Sequence, residues 1–212
     1  KDRKMARSLK ISTPSVLKLV TLAEAKTHLR VDFSNDDNYI NDLIDLAQEL
    51  IEEYCNIAIY EQELVQQCDT WDETFNLLRG PIIHVDSLTV SSIKYFDTNN
   101  VQQTWASSNY DVDKNSKPPR IYPSDNTIDD FPDLADRIFP IEITYKAGLL
   151  DSQTTLTPKI LKQACYLLIG QFYENRQPVI VGRSVSQIPM TVKFLLDKHK
   201  VQTFGVSEFV GI

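Results

Sequence analysis

Three groups of residues in this 212-residue chain have the types and spacing that could do chemistry. Asp111-Val-Asp113-Lys-Asn115 sets side-chain oxygens at alternate positions, as a calcium loop does at its start. Such a loop needs glycine at its sixth position for the sharp turn and a bidentate glutamate at its twelfth. Ser116 and Tyr122 stand there instead, so an ordinary polar turn is expected. Asp129, Asp130, Asp133 and Asp136 crowd one turn-rich stretch. A metal-assisted hydrolase or nuclease could use them, but a solvated loop is the favoured reading. Cys55, Cys68 and Cys165 have no metal-ligand spacing and are expected to be small buried hydrophobes. His28, His84 and His199 fall in three different elements, and nothing in their spacing asks for a zinc site. Gly-x-Ser-x-Gly and His-Glu-x-x-His are absent, and six glycines leave little material for a phosphate loop. The sequence therefore predicts no enzyme, no metal site and no cofactor.

The most chemically mixed string is Tyr173-Glu-Asn-Arg176. It closes a helical pattern, where Arg176 complements the negative end of the helix dipole and Glu174 can pair with a neighbour. Fixing the loop after the helix is the favoured role. A subunit contact is the alternative, because arginine is enriched in interface cores.

The elements that must position these residues follow from composition and period. With 42% apolar and 24% charged residues, the chain has the makeup of an ordinary globular protein, enough for one domain or a domain with an insertion. No apolar run has the length of a membrane span or the setting of a signal peptide, so the chain is expected to be made inside the cell. The net charge of −7 is unevenly spread. Residues 1–30 hold eight Lys/Arg and two acids, residues 31–63 hold ten acids and no Lys or Arg, and residues 158–200 hold seven Lys/Arg and two acids. The acids can be a solvated face, the partner of a basic patch across a subunit joint, or the lining of a DNA channel. A channel through which DNA slides should not grip phosphates, which makes carboxylates a sensible lining.

Residues 1–20 read as an arm, broken by Pro14. Thr21 and Glu24 form a capping box, and Leu22, Ala25 and Leu29 mark the buried face of the short helix that follows. After a polar loop, Asp36 or Asp37 can cap a long helix from Tyr39 to Tyr54. There Ile40, Leu43, Ile44, Ala47, Leu50, Ile51 and Tyr54 recur at helical spacing, opposite Asp42, Asp45, Glu49, Glu52 and Glu53. From Glu63 the period becomes two. Strands are predicted at 63–68, 75–78, 88–96, 101–105, 110–112 and 141–146, with Asp97-Thr-Asn-Asn100 as a hairpin turn. Residues 114–138 read as a long loop. Pro158 sits at the first position of the next helix, whose stripe is Leu161, Ala164, Cys165, Leu168, Ile169 and Phe172. Pro189 opens a last short helix with Val192, Leu195 and Leu196, and residues 201–212 form an apolar, β-prone tail. The expected fold is α+β: a small antiparallel helical bundle from 21–60 and 157–200, with a small β subdomain, 61–156, inserted between them.

The strings Leu22-Ala-Glu-Ala-Lys-Thr-His-Leu-Arg30, Asp36–Asp37, Ala47 to Tyr54, Pro158 to Arg176 and Ile188 to Leu196 together resemble the head–tail connector (adaptor) proteins of tailed bacteriophages, in their longer form with an inserted β region. The resemblance covers the two end segments well and the middle in general character. It implies a structural virion component: a homo-oligomeric ring, dodecameric in the virion, between the portal and a tail-side stopper or tail protein. The ring would continue the channel through which packaged double-stranded DNA passes without sequence-specific binding, and lie in the neck after assembly in the host cytoplasm. On that reading Phe204, Val206, Phe209, Val210 and Ile212 are candidates for portal docking. Arg30, Glu49, Glu52, Glu53, Lys159, Lys162, Glu174, Asn175 and Arg176 are candidates for the subunit interface or loop anchoring. Asp42 and Asp45 are candidates for facing the channel. The alternative is a monomeric or dimeric binding module of phage or bacterial origin.

Overall fold

The structure, a computed structural model, describes residues 7–81, 90–124, 131–149, 158–176 and 189–201. The chain divides into two compact units, each assembled from separated stretches. Residues 16–59 and 152–200 form one, and residues 60–151 with the stretch up to Ser15 belong to the other.

The first unit is helical: α1 (Leu22–Leu29), α2 (Asp37–Cys55), α3 (Lys159–Glu174) and α4 (Met190–Leu196), the last running into a 3₁₀ turn at Asp197–His199. The capping box forms as predicted. Thr21 Oγ1 accepts from the Glu24 N–H, and Glu24 Oε2 accepts from the Thr21 N–H. Helices α1 and α2 both stop at a residue in the left-handed region, Arg30 (φ 57°) and Asn56 (φ 53°), whose N–H groups return to the last turn. The stripe Ile40, Leu43, Ile44, Ala47, Ile51 and Cys55 of α2 is buried. So are Leu161, Ala164, Cys165, Leu168 and Ile169 of α3. Each fully buried Leu or Ile contributes about 1.5–3 kcal/mol, and this apolar seam holds two chain segments more than a hundred residues apart.

The second unit has two antiparallel sheets. The five-stranded sheet runs β1 (Arg7–Thr13), β2 (Gln62–Cys68), β8 (Ile141–Ala147), β4 (Val90–Phe96), β5 (Gln102–Trp105). The three-stranded sheet runs β3 (Phe75–Asn76), β7 (Arg120–Pro123), β6 (Tyr110–Asp113). β2 and β8 alternate strictly, with Leu64, Gln66 and Cys68 inward from one and Ile141, Ile143 and Tyr145 from the other. Buried Gln66 is fully used: its Nε2 donates to Asn76 O at 3.1 Å, and its Oε1 accepts from the Leu78 N–H at 2.9 Å. A cluster of rings gathers residues from several strands. Trp71 stacks on Phe131 at 5.3 Å and meets Trp105, Tyr95 and Phe75, while Trp105 stacks on Tyr110. Gly148 lets the chain pass so close to Tyr60 and Glu61 that a β-carbon there would meet the Glu61 nitrogen at 2.7 Å.

Three sequence readings are corrected here. The supposed arm contains β1, paired along β2 from Arg7–Cys68 to Thr13–Glu63. It is an edge strand whose apolar residues are only partly covered, so its pattern gave no burial signal. The supposed loop 114–138 contains β7, where the side chains facing inward are Ile121 and Pro123. With eight strands in two sheets among the described residues, the β part is larger than the six short strands suggested. The hairpin at Asp97–Asn100 is present, with Asn100 at φ 61° and the Asp97 carboxylate accepting from the Asn99 and Val101 N–H groups.

Candidate functional site

The Tyr173–Arg176 string sits where the two ends of the chain are tied together. α2 and α3 pack antiparallel, so the C-terminal turn of α3 lies at the start of α2. There the Tyr173 hydroxyl donates to Asp36 Oδ2 at 2.6 Å, and Arg176 Nη2 donates to the same oxygen at 2.8 Å. The Arg176 guanidinium also lies over two rings, Tyr39 at 4.6 Å and Tyr173 at 5.2 Å. Tyr39 adds a hydroxyl donated to Phe172 O at 3.3 Å. The Tyr173 hydrogen bond, and then the Arg176 charge, hold the Asp36 carboxyl below the usual carboxylate range. The same bond pushes the Tyr173 hydroxyl up.

At the other end of α3, Lys162 Nζ pairs with the Glu24 carboxylate. Glu24 thus closes the capping box of α1 and holds α3 at once. The Lys162 hydrogen bond, followed by those at the cap, keeps the Glu24 carboxyl low. The far end of α2 is fixed to α4: Tyr54 Oη donates to Asp197 Oδ1 at 2.7 Å, and the Cys55 thiol donates to Leu196 O.

The predicted site residues scatter around this framework. Lys162 and Arg176 have partners within the chain, Glu24 and Asp36. Glu52 Oε1 accepts from the Ile59 N–H at 2.8 Å and shapes the turn after α2. Arg30 and Asn175 are helix caps, and the Asn175 side chain donates to Gln171 O. Asp45 pairs with Lys18 at 2.8 Å. Asp42, Glu49, Glu53, Lys159 and Glu174 are exposed. Phe204, Val206, Phe209, Val210 and Ile212 lie outside the described residues, as do Ile188, Asp129 and Asp130. Of Asp36 and Asp37, the two capping candidates, Asp36 holds the cap position, yet its side chain makes no cap hydrogen bond and turns to α3 instead. The available signal was three polar or aromatic side chains, Asp36, Tyr39 and Tyr173, on two helix ends that antiparallel packing must bring together.

The possible calcium string also finds its use inside the protein. Asp113 Oδ1 accepts from the Asn115 and Ser116 N–H groups, and Oδ2 accepts from Arg120 Nε at 3.0 Å. Among the described residues no three His, Cys, Asp or Glu side chains converge as metal ligands. The arrangement suits a framework that fixes surfaces in place.

The mixed α+β fold is shared with chains from gene transfer agent particles. A chain in the neck of an empty gene transfer agent particle, computed with C6 symmetry, is similar over 96% of this chain and 98% of its own, with a TM-score of 0.71 and 21% identity. A chain in the virion of a native gene transfer agent particle matches with the same coverage and TM-score at 22% identity. One from the neck of the native particle, computed with C12 symmetry, matches with a TM-score of 0.63 and 20% identity. Residues 19–117 match the profile of the family described as phage gp6-like head-tail connector protein. The match agrees with the resemblance read from the sequence: this stretch is similar to head–tail connector proteins. It runs from α1 through β6, so the match extends into the β unit and stops before α3. No curated protein sequence matches.

Proposed function

We propose that this chain is a structural neck component that forms a homo-oligomeric ring between portal and tail and continues the DNA channel, without catalysis. The head–tail connector match over residues 19–117 carries this reading. The similarity in fold to neck chains from particles treated with six- and twelve-fold symmetry supports a ring, with twelve copies as the proposed number. Assembly in the host cytoplasm and contact with a tail-side stopper belong to the same proposal.

Within it, the C-terminal residues Phe204, Val206, Phe209, Val210 and Ile212 dock on the portal by adding a strand to an exposed sheet edge. Asp42 and Asp45 face the channel, where like charge keeps DNA from sticking. The test is mass by light scattering for the chain alone and mixed with its cognate portal. A ring, or a stoichiometric complex with the portal, is expected. A monomer that ignores the portal overturns the reading. Removing residues 201–212 should abolish portal binding while leaving the far-ultraviolet circular dichroism unchanged.

A further inference from the structure

We propose that the outward face of α4, Met190 and Phe194, seats on the outward edge of α2 around Leu46 in a second copy of this chain. The proposal rests on the ring reading above and names the surfaces that make the joint. Met190 and Phe194 are 86% and 72% exposed, unusual for large apolar side chains one helical turn apart. Val192 and Leu196, on the other face of α4, are buried. The helix is therefore anchored by one side and offers the other.

α2 presents the complement. Leu46, 42% exposed, and half-buried Leu50 are also one turn apart. Beside them Glu49 and Glu53, also one turn apart, lie on the same outward side, and both are exposed. Neither has an ion-pair partner among the described residues. On α4 and the turn after it, Lys193 and Lys198 flank the apolar pair, again without an ion-pair partner among the described residues. Apolar edge thus meets apolar edge while lysines meet carboxylates, the complementarity that fixes orientation between partners.

A second copy is the occupant because both complementary faces belong to the same chain and cannot meet within it. α2 and α4 turn their buried sides to a common core, so their outward sides diverge. Pairing of two different faces is head-to-tail, and repeated it closes a ring or runs on as a filament. Contacts between two helix edges are small against the roughly 1,200–2,000 Å² of a stable pair, so closure, which holds each copy on two sides, supplies what one joint lacks.

The test is disulfide capture between separate chains carrying Phe194→Cys and Leu46→Cys, with Phe194→Cys and Gln163→Cys, exposed on α3, as the control pair. The three native cysteines are buried and give little background. Heterodimer should exceed the control by about tenfold or more, as for groups held in contact rather than colliding. Glu49→Lys with Glu53→Lys on the Leu46→Cys chain should reduce capture, and Lys193→Glu with Lys198→Glu on the Phe194→Cys chain should restore it. Capture equal to the control overturns the proposal. If the parent chain still has the mass of a ring, only this surface falls; if the parent is a monomer, the ring reading falls with it.

Discussion

The hydroxyl of Tyr173 donates to a carboxylate oxygen of Asp36, 137 residues earlier in the chain. Arg176 shares that oxygen, so one carboxylate ties the last turn of α3 to the first turn of α2. The geometry makes the motif an anchor inside the chain, and it converts the charge of Asp36 into a condition for holding the two ends together.

The pH dependence follows. The Asp36 carboxyl is held below its ordinary value, so near that value the folded chain binds fewer protons than the unfolded one. The stabilisation is complete above about pH 4 and is lost as pH falls through the lowered folded value. Asp36→Asn should therefore lower the melting temperature at pH 7. The gap from the parent should close on acidification below about pH 4, read by thermal melts across pH. A gap that stays constant would show that the charge plays no part.

Thr21→Ala removes the hydroxyl that accepts from the Glu24 N–H and costs about 1 kcal/mol, measured by chemical denaturation. Because the Glu24 carboxylate also holds Lys162, Glu24→Gln should cost more than Thr21→Ala.

Gly148→Ala should destabilise the β unit by about 1–3 kcal/mol, since the new methyl meets backbone rather than a side chain that can move. Leu168→Ala empties a fully buried position in α3 and should cost about 2–5 kcal/mol. Both are read from denaturant midpoints. The two effects should add, because the sites share no partner.

The thiols should be silent in the native state. Burial pushes Cys55 up to about 11 and Cys165 up to about 12, and raises Cys68 as well. Labelling by a thiol reagent at pH 8 should be slow until denaturant is added, when all three react. Rapid labelling of one of them in buffer would mean that its site opens locally.

The helical half was legible because its signals are local and redundant. The Thr21–Glu24 box, the α2 stripe and Pro158 each stand within a few residues of what they specify. β1 escaped because its apolar residues are only partly covered, and β7 because it alternates over four residues only and ends in Pro123; their identity comes from partners, Gln62–Cys68 for one and Tyr110–Asp113 for the other. The site was half legible. The Tyr173–Arg176 string stood out, but its partner Asp36 looked like a cap, and only the antiparallel packing of α2 on α3 reveals where the carboxylate goes. Charges such as Glu49 and Lys193, without an ion-pair partner among the described residues, carry no mark in the sequence of their role.

The order of described elements, strand β1, helices α1 and α2, seven strands, then helices α3 and α4, has a consequence for synthesis. When α2 leaves the ribosome, its apolar stripe has no partner until α3 follows, more than a hundred residues later. β1 likewise waits for Gln62–Cys68. All the described strands precede α3, so the helical unit is the one that no shorter fragment completes, and its folding comes last. A chain cut short by premature termination lacks α4 and the seam that α3 completes. Such products should be recognised by proteolysis as unfolded and removed before they can enter an assembly.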